Sequence, residues 1–111
     1  MDSIQGLNAF DVVGVRKDGG IDLVISCHGP LDHSEVTLGR LVQKIENYVR
    51  EVANAIEPTF FERYNVSPET TVRIVVSCKF PVSVEAVRAV EEMQLYVRSA
   101  IGGTLVLETE P

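Results

Sequence analysis

The chain has little of what most chemistries require. Its 111 residues include no tryptophan, two cysteines and two histidines. Two cysteines give no disulfide framework, and Cys27, His28 and His33 have spacing outside the common zinc patterns. Positive charge is scarce, with ten Lys and Arg against sixteen Asp and Glu and a net charge of −6. The basic residues are also scattered, which argues against nucleic acid as a partner and against a basic helix lying on a membrane. No apolar run approaches the ~18 residues that a bilayer span needs. The opening stretch MDSIQGLNAF has no basic segment leading into an apolar one, so it does not read as a signal peptide. With unpaired thiols, the expectation is a cytoplasmic protein. The loop CHGP holds one glycine and a proline, not the glycine-rich turn that cradles phosphate. No pair of carboxylates stands isolated among apolar neighbours, as general acid–base chemistry requires. Nothing implies a metal or a cofactor, and the chain reads more as a non-enzyme than as an enzyme.

What is present is an ordinary globular composition, 45% hydrophobic and 23% charged. The length suits one domain over residues 1–111, with 1–9 as a loosely held start and 10–109 as the folded core. VVGVRK, DGG and IDLVISC predict a β-hairpin, strands at about 12–17 and 21–27, with the turn supplying positive-φ positions. A helix of about five turns follows. Its stripe is Leu38, Leu41, Val42, Ile45, Val49, Val52, Ala53 and Ile56, capped by Asp32 with Glu35 or by Ser34, and stopped by Pro58. TFFERYNVSPETT is a connector in which Thr59 and Glu62 can cap one short turn. TVRIVVSCK is a third strand. SVEAVRAVEEMQLYVRSAI is a second long helix with Ser83 as cap, and its stripe is Val87, Val90, Met93 or Gln94, Val97, Ala100 and Ile101. Gly102-Gly103 ends it, and TLVLE is a fourth strand.

Sliding the chain by 51 positions lays LVISCHGP on IVVSCKFP and Asp32 on Ser83. The echo is one strand–loop–helix design used twice. Two such units in series are crossover connections, which make strands two, three and four parallel and strand one antiparallel. Right-handed crossovers in a constant direction place both helices on one face. The expected fold is therefore α/β, bordering on α+β: a two-layer sandwich of order ββαβαβ with a four-stranded mixed sheet. The strand order is 1-2-3-4 or 2-1-3-4.

This frame offers two places for a function. The carboxyl ends of the parallel strands gather Ser26, Cys27, His28, Asp32, His33, Ser77, Cys78 and Lys79 at the edge where open α/β sheets bind ligands. A cysteine beside an imidazole would be an activated thiolate there. The competing explanation is that Cys27 and Cys78 share the inward phase of Ile25 and Val76 and simply fill the core. The second place is the face that the helices leave bare. Val12, Val24, Val75 and Val106 each carry a valine onto it, among small or charged neighbours. Valine suits a wet strand in any case, but an apolar band also suits a partner protein or a second copy of the chain. The acidic surface would suit a basic protein partner.

IDLVIS…LDH, LVQKIENYVR and VRIVVSCKFPVSVEAVR together resemble a small bacterial family known only as a domain of unknown function. The matching residues are Gln43, Lys44, Ile45, Asn47, Tyr48, Lys79, Phe80 and Pro81, and the likeness spans about residues 10–100. The loop CHGPLDH is longer and less acidic than the family's, and here strand four follows a glycine pair. The resemblance implies a bacterial cytoplasmic protein and brings no catalytic residues. The leading expectation is a non-enzymatic interaction or assembly module. The alternative is a small-molecule binder or thiol-dependent enzyme at the strand ends.

Overall fold

A computed structural model describes residues 3–109. The element order is β1 (Val12–Val15), β2 (Ile21–Ser26), α1 (Glu35–Ala53), α2 (Phe60–Arg63), β3 (Val72–Cys78), α3 (Val84–Ile101) and β4 (Thr104–Thr109). The sheet order is β1-β2-β3-β4, the first of the two expected orders. β1 pairs antiparallel with β2, while β2–β3 and β3–β4 are parallel.

The hairpin turn closes through Arg16 N–H to Gly20 O and Gly19 N–H to Arg16 O. Only Gly19 of the DGG triplet takes a positive φ, +90°, where a side chain would be strained. The strands alternate inward and outward. Ile21, Leu23 and Ile25 of β2 join Val72, Ile74, Val76 and Cys78 of β3 in one buried cluster. The same cluster takes Leu41, Ile45, Tyr48, Val49 and Val52 from α1 and Ala86, Val90 and Val97 from α3. Both long helices thus lie on one face, forming the second layer of the sandwich. Val75, 3% exposed, stands outside that cluster on the opposite face.

α1 ends three residues earlier than its apolar stripe suggests. Asn54 has extended backbone, and its side chain accepts from Ile56 N–H, so the chain turns away before Pro58. Ile56 is consequently 76% exposed. α2 forms one turn capped by Thr59 Oγ1, as read from the sequence. α3 ends on Gly102 in the left-handed conformation, φ 62°, with its N–H bonded to Arg98 O. Its buried line is Ala86, Val90 and Val97, with Met93 half-buried, whereas Val87 and Ala100 face outward. The expected stripe therefore took in Val87 and Ala100, which face outward, and missed Ala86, which has no exposed surface.

The two units are not a strict copy. The strands and the bridge Leu31↔Val82 repeat at a spacing of 51, but the caps Ser34 and Ser83 lie 49 apart. Asp32-His33 is a two-residue insertion in the first unit, and Ser34, not Asp32, is the counterpart of Ser83.

Residues 3–9, part of the segment 1–9 expected to be loosely held, pack across α1, and residues 1–2 lie outside the described residues. Ile4 is 1% exposed and belongs to the core cluster. His28 N–H donates to Ser3 O, Arg40 Nε to Ile4 O, and Asn47 Nδ2 to Leu7 O. Side chains of the first unit supply the partners that this segment's backbone needs, and an apolar Ile4 fixes its depth.

Candidate functional site

The strand-end edge is assembled by the ends of β2 and β3 and the loops that follow. Cys27 N–H donates to Ser77 O, which continues the parallel ladder one residue past β2. The loops then rejoin: Leu31 N–H donates to Pro81 O at 3.0 Å and Ser83 N–H to Leu31 O at 2.7 Å. This closes the crevice into which open α/β sheets usually admit a ligand.

The thiols behave as core atoms. Cys78 is 1% exposed, and its Sγ donates to Phe80 O at 3.4 Å and to Gly29 O at 3.8 Å. Burial, reinforced by the neighbouring Cys78, pushes the Cys27 thiol up to about 12. A nucleophilic cysteine needs the opposite shift. His28, His33 and Lys79 are exposed, while Ser26 and Ser77 are half-buried. Asp32 uses Oδ1 to accept from Ser34 N–H at 3.0 Å. The Ser34 hydroxyl, and after it that backbone contact, hold its carboxyl below the ordinary value. Of the eight residues, Asp32 and Cys78 direct their side-chain polar atoms into cap and loop bonds, and Cys27, His28 and Ser77 use backbone groups in the ladder and loop pairing. Among the described residues no group of three His, Cys, Asp or Glu could hold a metal ion. Cavities of about 340, 250 and 290 Å³ form elsewhere, and none of the three is lined by an edge residue.

Beside this edge lies a polar cluster that the sequence reading passed over. Lys44 has no exposed surface. Its Nζ donates to Gln5 O and lies 2.7 Å from Asp11 Oδ1. Asp11 Oδ2 accepts from Ser26 N–H at 2.9 Å, taking up the backbone group of β2 that β1 is too short to reach. Tyr48 Oη accepts from Asp11 N–H at 2.9 Å and donates to Val24 O at 3.1 Å. Burial raises the Tyr48 phenol, so the hydroxyl keeps its proton. Each of these groups has a partner, as buried polar atoms require, so the cluster fastens the start of the chain to α1 and β2. The available signal was Lys44 and Tyr48 within the helical phase of Leu41, Ile45 and Val52.

The uncovered face is arranged more regularly than the sequence suggested. Val12↔Val24, Val24↔Val75 and Val75↔Val106 are direct register partners, so the four valines form one unbroken row across all four strands. One flanking row reads Gly14, Asp22, Arg73, Thr104. Arg73 grips Asp22 with two bonds, Nε–Oδ1 at 3.0 Å and Nη2–Oδ2 at 2.8 Å, and Arg16 Nη1 lies 3.4 Å from the same carboxylate. The other flanking row carries Ser26, Ser77 and Glu108. Val12 is 50% exposed and Val24 and Val106 are half-buried. Neither long helix reaches this side.

Among the described residues no helix is long and apolar enough to cross a membrane. No family model, no curated protein and no solved structure matches the chain.

Proposed function

We propose that the protein is a non-enzymatic assembly module that pairs with a second copy of itself through the bare sheet face. The observation that carries this reading is the unbroken valine row Val12–Val24–Val75–Val106. A band of this kind, rimmed by polar groups, is the usual form of a contact surface. The pattern across the row suits a second copy as the occupant. Arg16 and Arg73 are matched by Asp18 and Asp22 on one side of the row, and Glu108 leaves negative charge on the other. A two-fold axis along the row sets each side against the opposite side of the other copy, as an isologous interface requires.

The patch is modest. Four strands about 4.8 Å apart and six residues at about 3.3 Å each span roughly 300–400 Å² in projection. A standard interface takes about 800 Å² per partner, so pairing should depend on concentration. The thiol-enzyme alternative has less support, since it needs an ionisable Cys27 and an open crevice.

Sedimentation equilibrium over a concentration series tests the proposal. The wild-type chain should approach twice its 12.2 kDa mass, and Val24→Lys with Val106→Lys should remain monomeric while still folded. Val75 is left alone because it is enclosed. A wild-type chain that stays monomeric throughout, or a lysine pair that dimerises as well as the parent, would overturn it.

A further inference from the structure

The largest of the three cavities, about 340 Å³, opens on the helix side of the sheet, away from the valine row. Three separate parts of the chain wall it: residues 7–10 of the start, α1 from Asn47 to Glu51, and Arg63 of α2. Its size is at the lower end of the ~300–1,000 Å³ typical of small-molecule sites. The walls are held before any ligand arrives. Asn47 Nδ2 ties Leu7 O at 2.8 Å, and the Lys44–Asp11 pair anchors the strap on its other side.

The lining combines an aromatic body with an unequal charge set. Phe10 presents a half-buried ring packed edge-on against Tyr48, centroids 4.8 Å apart, and against Phe60 at 5.8 Å. Flat apolar ligands pack well against such rings. Two guanidiniums meet at the rim with one carboxylate between them. Arg63 Nη2 is bonded to Glu51 Oε1 at 3.1 Å. Arg50 has no carboxylate within ion-pair distance among the described residues, and its Nη1 reaches only a long 3.4 Å contact to Asn47 Oδ1. What sets Arg50 apart from the other cations without an acid in ion-pair range is that it lines this cleft.

We propose that this cleft binds a small aryl monocarboxylate, with Arg50 gripping the carboxylate and Phe10 packing against the ring. A guanidinium fork matches a carboxylate's two oxygens. Glu51 limits the ligand to a single negative charge, because a dianion such as phosphate would face it across the rim. This site is independent of the self-pairing face, so either can fail without the other.

The test is an NMR titration of the full ¹⁵N-labelled chain with benzoate, benzamide and inorganic phosphate. Benzoate should give saturable shifts confined to residues 7–10, 47–51 and 63. Benzamide, equal in shape but uncharged, should bind at least tenfold more weakly, and phosphate should leave these residues unmoved. Arg50→Gln, an exposed change that should leave the remaining spectrum intact, should weaken benzoate at least tenfold. Arg88→Gln on the outside of α3 should not. Shifts that do not saturate, equal binding of benzamide or phosphate, or full benzoate affinity in Arg50→Gln would overturn the proposal.

Discussion

The two strand–loop–helix units share a plan and differ in what lies over their helices. Counting from the caps Ser34 and Ser83, Leu41 corresponds to Val90, Lys44 to Met93, Tyr48 to Val97 and Val52 to Ile101. The same helical row is thus half polar in the first unit and wholly apolar in the second. The cause is the cover. α1 receives residues 3–11, whose backbone groups need donors and acceptors, and Lys44, Asn47 and Tyr48 supply them. α3 carries no such strap, so its row needs only apolar contact, and its outer side leaves Val84 and Leu95 each 69% exposed. A duplicated scaffold can therefore hold two kinds of core at equivalent positions, set by what the rest of the chain lays on each.

The comparison can be broken most strongly at its apolar members. Leu41→Ala should cost about 3–4 kcal/mol and Val90→Ala about 2 kcal/mol in urea unfolding, because both side chains are buried and leucine loses one more carbon than valine. Equal losses would mean that the site at Val90 collapses less well around its cavity than the site at Leu41. Lys44→Met converts the first unit to the second's residue and should cost about 2–3 kcal/mol. Breaking a buried pair typically costs more, but the Asp11 side chain keeps 20% exposure and can rehydrate. If Lys44→Met proved neutral, the strap would not depend on its buried ammonium. Tyr48→Phe removes one hydroxyl that bridges Asp11 and Val24, and a loss of about 1–2 kcal/mol is expected.

The smallest effect near neutral pH concerns the thiol at the strand ends. The folded chain holds the Cys27 proton to about 12, against 9.0 for an ordinary thiol. The unfolded chain loses that proton first, so stability should be flat below pH 8 and fall as pH rises from about 9 towards 12. Cys27→Ala should flatten part of that decline. At pH 8, alkylation of Cys27 in the folded protein should run on the order of a thousandfold slower than that of free cysteine. A rate near that of free cysteine would restore the thiol-chemistry reading of this edge.

Much of the frame was legible because it depends on local pattern. Alternation in IDLVIS and VRIVVSC, the three- and four-residue steps of α1, and the serines before each helix are properties of short stretches. The parallel pairing and the common face of the helices followed from the repeat with right-handed crossovers, while the order stayed open between 1-2-3-4 and 2-1-3-4 until the fold placed β1 beside β2 at the edge. The misplaced details depend on distant contacts. Asp32 could not be told from Ser34 as cap until the loop bridge Leu31↔Val82 located the two-residue insertion. The strand-end residues looked like a site because parallel strands bring them to one edge. In the fold, loop pairing and a cap engage Asp32 and Cys78, and the loops close over the strand ends. The cleft at Arg50 was illegible, since residues 7–10, α1 and α2 are far apart in sequence and meet only through packing.

By itself, the amino-acid order determined which segments become strands and helices, which strands run parallel, and that four valines point to one side of the sheet. Periodicity and capping act over a few residues, and crossover handedness is set by backbone chirality. Only the tertiary structure decided that these valines align in a single row, that a lysine inside a helical stripe stays buried and charge-paired, and that Cys78 is enclosed while Cys27 is half-buried. Register, desolvation and partner geometry depend on groups separated by tens of residues, and those distances exist only once the chain has closed on itself.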